Sequence, residues 1–116
     1  MKAYMKIICK KELYADIIQK ANSFTKELNA KQVSFKEEPY FKDERCVQLH
    51  IEIAFCFCTI ECLKNTIEQL FAIDEDVSCF EDATGVDLAI YSSHSDLLIN
   101  NKVFFTLYLP FDEHDN

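Results

Sequence analysis

Glycine and proline are scarce in this chain of 116 residues, which contains one glycine and two prolines. Irregular loops consume these residues, so their scarcity predicts regular helices and strands joined by short connections. A lone glycine also excludes the glycine-rich loops that cradle phosphate in the usual nucleotide sites. The longest apolar run, Ala54–Ile60, is too short to span a bilayer, and the amino-terminal residues lack the apolar core of a signal peptide. A soluble cytoplasmic protein is therefore expected.

Apolar residues make up 49% of the chain and include ten phenylalanines and five tyrosines, which is enough material for one hydrophobic core. The length predicts a single domain over residues 1–116. Most of the six cysteines lie within apolar runs, and no secretory signal precedes them. Reduced thiols that pack as small hydrophobes are therefore predicted.

Hydrophobic periodicity predicts two helices and several strands. Apolar residues from Leu13 to Leu28 recur at helical spacing, with Asn29 as a left-handed stop, and strict alternation marks a strand after Arg45. The predicted elements are a strand Tyr4–Lys10, a helix Lys11–Asn29, strands Val33–Phe41 and Cys46–Phe57, a helix from the cap Thr59 to about Ile73, and strands Val77–Phe80, Val86–Tyr91 and Val103–Leu109. This order predicts an α+β fold in which two helices pack on one face of a mostly antiparallel sheet of four to six strands, ferredoxin-like or a variant.

Motifs for catalysis, metal or cofactor binding are not found. The spacing of Cys56, Cys58 and Cys62 matches no standard zinc site, because zinc usually takes thiolates in pairs on tight turns. The segment that begins at Asp74 has a cysteine and Gly85 where a calcium loop needs glycine and glutamate. We therefore predict a protein that is not an enzyme, with no catalytic residue, no metal and no cofactor.

Charge divides the chain into two unequal parts. Residues 1–36 hold eight lysines against three acids, a net of +5, whereas residues 37–116 hold four basic groups against seventeen acids, a net of −13. Six of these acids lie between Asp74 and Asp87 in a block that contains no basic residue. Such a block attracts cationic partners and repels nucleic acid and anionic membranes. Exposed aromatic residues beside such a block would anchor a protein contact. The predicted partner-binding residues are Asp74, Glu75, Asp76, Phe80, Glu81, Asp82, Asp87 and Tyr91.

In size, acidic charge and α+β character, the whole chain resembles the immunity proteins of bacterial toxin systems, including those of contact-dependent growth inhibition. The resemblance implies a small non-catalytic antitoxin that neutralises a basic toxin or nuclease domain. It also implies that the clustered carboxylates take the place of the phosphates that the toxin's cleft expects. The expected partner is therefore a basic protein, with neither nucleic acid nor membrane as a ligand.

Two other functions stay open from the sequence. His50, Glu52 and Cys56 share one face of a predicted strand and would suit proton transfer or a metal, so a small ligand- or metal-binding domain or an enzyme is one alternative. A self-associating structural or regulatory adaptor, which pairs through an exposed strand edge, is the other. The predicted oligomeric state is a monomer or a weak dimer.

Overall fold

The computed structural model describes residues 1–56, 59–71, 78–90 and 104–111. Within these ranges, two α-helices and six β-strands follow one another, and a short 3-10 turn (Lys11–Leu13) precedes the first helix. In chain order the elements are β1 (Lys2–Lys10), α1 (Tyr14–Glu27), β2 (Lys31–Pro39), β3 (Cys46–Ala54), α2 (Ile60–Phe71), β4 (Ser78–Glu81), β5 (Gly85–Ile90) and β6 (Phe104–Pro110). The predicted α+β class is confirmed.

The six strands form one sheet in the order β2-β3-β1-β6-β5-β4, and every neighbouring pair is antiparallel. β1 lies inside the sheet, where Met5 pairs with Ile51 of β3 on one side and with Leu107 of β6 on the other. α1 connects β1 to β2, which lies beyond β3. The prediction of four to six mostly antiparallel strands is confirmed, whereas a ferredoxin-like arrangement stays a prediction.

Alternating side chains of the central strands bury one face of the sheet against both helices. In β3 and just after it, odd-numbered residues from Val47 to Phe55 are buried and the even-numbered residues between them are partly exposed, as the alternation predicts. Leu63 and Ile67 of α2 pack in the same core cluster. The buried residues of α1 are Ile17, Ala21 and Phe24, which belong to the predicted stripe. We call the buried side of the sheet the helix face and the opposite side the outer face.

The ends of both helices follow their capping residues. α1 ends in a Schellman motif, in which Ala30 donates its N–H to the carbonyl oxygen of Thr25 over 2.9 Å and Asn29 has a left-handed φ of 53°. The stop predicted at Asn29 is therefore confirmed.

At the start of α2, the hydroxyl oxygen of Thr59 accepts the N–H of Cys62 over 3.1 Å, which confirms the predicted cap. Neither described helix is long and apolar enough to cross a membrane.

The connection between β2 and β3 begins earlier than predicted, because Asp43 organises it. The two carboxylate oxygens of Asp43 accept hydrogen bonds from the Arg45 guanidinium over 2.8 and 3.0 Å, and one of them also accepts the Arg45 backbone N–H over 2.9 Å. These bonds from Arg45 lower the pKa of Asp43 to about 2. The turn therefore occupies Tyr40 to Arg45, and β2 ends at Pro39 instead of Phe41.

Other element bounds differ modestly from the predictions. The helix predicted from Lys11 begins as a 3-10 turn, since no side chain caps the start of α1 and the N–H of Lys11 donates to the carbonyl oxygen of Arg45 over 3.0 Å. β3 ends at Ala54, three residues before the predicted Phe57, which lies outside the described residues. β4, β5 and β6 each lie one residue from the predicted bounds.

Candidate functional site: an acidic edge hairpin and the outer face of the sheet

The hairpin formed by β4 and β5 (residues 78–90, the edge hairpin) lies at one end of the sheet. Among the described strands β4 pairs with β5 alone, and all four residues of β4 are exposed. An edge strand leaves a row of backbone N–H and C=O groups available to a partner. Phe80, in the middle of this strand, is 64% exposed. The edge therefore offers backbone hydrogen bonds and a large aromatic side chain at the same place.

Three predicted acidic residues lie on the edge hairpin, but they do not share one face. Phe80 pairs with Asp87 and Glu81 pairs with Val86, and neighbouring residues of a strand point to opposite faces. Phe80 and Asp87 therefore lie on the outer face, whereas Glu81 lies on the helix face. Asp82 lies in the turn. The structure brings Phe80 and Asp87 together and separates Glu81 from Asp87 across the sheet.

The other predicted partner-binding residues fall outside the described part of the chain. They are Asp74, Glu75, Asp76 and Tyr91. The contact surface can therefore be followed in the structure only for the four residues on the edge hairpin.

Asp82 has a structural task in the turn of the edge hairpin. Its Oδ1 atom accepts hydrogen bonds from the N–H and the hydroxyl of Thr84 over 2.7 and 2.6 Å, and from the N–H of Gly85 over 3.2 Å. These bonds, with Thr84 contributing most, lower the pKa of Asp82. Sequence reasoning took Asp82 only as a contact residue. The structural role of Asp82 could have been predicted from the spacing Asp-x-Thr-Gly, which is typical of a side chain that forms a hydrogen bond with the backbone two residues further along.

Gly85 allows β5 to approach the end of β6 closely. A Cβ atom at this position would lie 2.6 Å from the carbonyl oxygen of Leu109, 2.8 Å from the Cα of Pro110 and 3.0 Å from the hydroxyl of Tyr108. That hydroxyl donates to the hydroxyl oxygen of Thr84 over 3.0 Å. The only glycine of the chain is therefore required by packing between strands, and it fixes the start of β5 against β6.

Side chains on the outer face form two neighbouring rows that cross β2, β3, β1 and β6. Strand register defines both rows. The basic row contains Lys36, His50, Lys6 and Thr106, and the aromatic row contains Ser34, Glu52, Tyr4 and Tyr108. All eight residues line a groove of about 490 Å³, which we call the outer groove. Volumes in this range are typical of sites for small ligands.

His50 is paired with a residue that sequence reasoning missed. Its Nε2 atom lies 2.8 Å from Oε1 of Glu38, on the neighbouring strand β2. The hydrogen bond with His50 is the main reason why the pKa of Glu38 is lowered, and the same ring nitrogen lies 2.8 Å from the side-chain nitrogen of Gln48. Lys36 lies 3.6 Å from the other oxygen of Glu38. This pairing could have been predicted from the register of the β2–β3 hairpin, which places Glu38 diagonally across from His50.

The alternative site at His50, Glu52 and Cys56 is brought together only in part. His50 and Glu52 both line the outer groove, whereas Cys56 is exposed beyond the end of β3 and does not line it. Glu52 lies 3.5 Å from the ammonium group of Lys2. Within the described ranges, the structure contains no group of three or more histidine, cysteine or acidic residues arranged to hold a metal ion.

The described cysteines are free thiols in two environments. Cys9 and Cys46 are buried, whereas the exposed ones are Cys56, Cys62 and Cys79. Burial raises the pKa of the Cys9 thiol to about 11, with a smaller contribution from Cys46, so this thiol stays protonated at neutral pH. Cys9 therefore behaves as a core hydrophobe, as predicted.

Comparisons of the chain with protein families, with curated proteins and with solved structures found no match.

Proposed function

We propose that this chain is a non-catalytic protein-binding module that contacts a basic protein partner through the edge hairpin. One observation carries the proposal: Phe80, a large exposed aromatic residue, lies on an edge strand whose outer edge no described strand covers. Glu81, Asp82 and Asp87 surround it with negative charge. Exposed aromatic residues with a charged surround are common anchors in protein interfaces.

The orientation of the acids favours strand addition as the mode of binding. A strand that pairs with β4 would present its side chains alternately to the two faces of the sheet. Because Glu81 lies on β4 itself and on the helix face, a basic side chain on that face of such a strand would meet a carboxylate, and a side chain on the outer face would meet Phe80. The free edge therefore offers a carboxylate on one face and an aromatic ring on the other to a partner strand, with Asp87 one strand further into the sheet.

Within this class, we propose an immunity protein that neutralises a basic toxin or nuclease domain. The net charge of −8 supports this proposal, because opposite charge accelerates the encounter of two proteins. The reduced thiols fit a cytoplasmic location, where such a protein would act. We also propose that the fold is a variant of the ferredoxin-like fold. In this variant, the unit formed by β1, α1, β2 and β3 is extended by the strands on the other side of β1.

The experiment is a growth-rescue assay with a basic toxin or nuclease domain sought among the products of the neighbouring genes, followed by binding kinetics on the purified pair. The double variant Glu81→Lys/Asp87→Lys should slow association roughly tenfold at low salt and less at high salt. Phe80→Ala should mainly accelerate dissociation. The matched control is Glu44→Lys, a charge reversal at an exposed position in the β2–β3 turn.

Two results would contradict the proposal. One is a failure of the unaltered chain to protect cells or to bind the toxin domain. The other is unchanged kinetics for both edge-hairpin variants, which would place the contact elsewhere. Light scattering at micromolar concentration tests the self-association alternative, for which a stable dimer through the same edge is the expected result.

A further inference from the structure

The outer groove contains a positive charge that no described acidic residue neutralises. Lys6, on β1, is half-buried, and it forms no ion pair with any of the described residues. Nearby, Lys36 lies 3.6 Å from Glu38, and Lys2 lies 3.5 Å from Glu52. A half-buried ammonium group loses part of its hydration, and without a partner it gains no compensating charge. The position of Lys6 therefore favours an anionic group that comes from outside the chain.

The neighbours of Lys6 suit the other parts of such a ligand. Thr106 lies beside Lys6 in the basic row, on a strand about 5 Å away, and its hydroxyl can donate a hydrogen bond to the same anion. Tyr4 and Tyr108 are paired in the aromatic row, and Tyr4 is 43% exposed. Aromatic side chains bind flat rings by stacking or by edge contacts. The groove thus places a cation and a hydroxyl next to an aromatic surface.

The charge of the outer groove limits the size of the anion. Its lining contains Lys6, Lys36 and His50 on the basic side and Glu52 as an acid. Two of these basic groups, Lys36 and His50, are already paired with Glu38. One uncompensated cation matches one anionic group, whereas a nucleic-acid strand needs several phosphate contacts along its path.

We propose that the outer groove binds a small organic anion, in which a single carboxylate, sulfonate or phosphate group contacts Lys6 and Thr106 and a flat ring packs on Tyr4 and Tyr108. The site shares no residue with the proposed protein contact, although the two are neighbours on the outer face, where Tyr108 pairs with Asp87 of the edge hairpin. Lys6 is the residue that selects the anion.

The experiment uses the full chain labelled with ¹⁵N and two pairs of probes, each with the same ring with and without the charged group: adenosine monophosphate with adenosine, and indole-3-acetate with indole. Amide shifts are followed during titration. We expect the anionic probes to shift the amides of Tyr4, Lys6, Thr106 and Tyr108, and the neutral probes to bind about tenfold more weakly.

Variants test the role of Lys6 directly. Lys6→Met should weaken binding of the anionic probe about tenfold and leave the neutral probe unchanged. Its thermal unfolding should match that of the parent, because Lys6 has no ion pair among the described residues to lose. The control is Lys26→Met, an exposed lysine in the last turn of α1. If Lys6→Met does not fold, a loss of affinity of the parent chain with rising salt supports the same ion pair.

Three results would overturn the proposal. The first is the absence of shifts at the outer groove with both anionic probes at millimolar concentration. The second is equal binding of the anionic probe to Lys6→Met and to the parent. The third is much tighter binding of a short single-stranded oligonucleotide than of its mononucleotide, which would replace the small anion with a nucleic-acid strand.

Discussion

Replacing Gly85 with alanine tests whether the approach between β5 and β6 defines the edge hairpin. The added methyl group would lie 2.6 Å from the carbonyl oxygen of Leu109 and 2.8 Å from the Cα of Pro110. Both atoms belong to the backbone, so neither can rotate away as a flexible side chain would. β5 must therefore move off β6 at its first residue, where Asp82 also binds the Gly85 N–H.

We expect Gly85→Ala to lower the free energy of unfolding by about 1–3 kcal/mol, the usual cost of forcing an extra carbon into a packed site. For a chain of this length the melting temperature should fall by roughly 4–12 °C. Urea denaturation followed by circular dichroism, together with calorimetry, measures both quantities. Ser78→Thr is the control, because it adds a methyl group at an exposed position of the neighbouring strand β4 and should change stability by less than about 0.5 kcal/mol.

The opposite outcome is equally informative. At a position where alanine fits, replacing glycine stabilises a protein by about 0.4–1 kcal/mol, because the unfolded chain becomes less flexible. A Gly85→Ala variant that is as stable as the parent, or more stable, would refute the close approach and with it the placement of the edge hairpin against β6.

Three further changes test other parts of the fold. The raised pKa of Cys9 means that the unfolded chain loses the thiol proton first, so the free energy of unfolding should fall by up to about 2 kcal/mol as the pH rises from 9.0 to about 11. Urea titrations across this range should show a smaller fall for Cys9→Ala, and equal falls would contradict the burial of the thiol. Thr59→Ala removes the cap of α2 and should destabilise the chain by about 1 kcal/mol in urea denaturation, and no change would speak against the cap. Asp82→Asn should lower the melting temperature above pH 3.8. The difference in melting temperature between variant and parent should vanish as the pH falls through the lowered pKa of Asp82, because the side chain of the parent then becomes neutral, as asparagine is. A difference that persists in strong acid would show that the charge of Asp82 is not what holds the turn.

Local sequence patterns were sufficient to predict most secondary structure. The alternation in β3 and the helical spacing in α1 both arise because one face of the element is buried. Burial of one face sets a pattern over neighbouring residues, so it can be read from a short stretch of sequence. The cap at Thr59 and the stop at Asn29 were predictable for the same reason, since each depends on hydrogen bonds within one turn. The helix predicted from Lys11 does begin there, but its first turn is 3-10, a detail that the apolar spacing does not report.

The arrangement of the candidate sites depends on pairings that the sequence does not show. The basic row exists because β1 lies between β3 and β6, which brings Lys36, His50 and Lys6 into register. No local pattern reports which strands become neighbours. The separation of Glu81 from Asp87 was within reach, because the parity of positions across a short hairpin decides the face on which each side chain lies.

The position of β1 inside the sheet has a consequence for how the chain folds during synthesis. Among the described strands, β1 leaves the ribosome first and one of its two neighbours, β6, leaves it last: Tyr4 pairs with Tyr108. Until β6 is made, that flank of β1 stays without its partner while β3 already occupies the other side. Contacts so distant along the chain slow folding, and bare strand flanks invite aggregation in the interval. Nascent chains that stop short of β6 should therefore be those that depend most on chaperones.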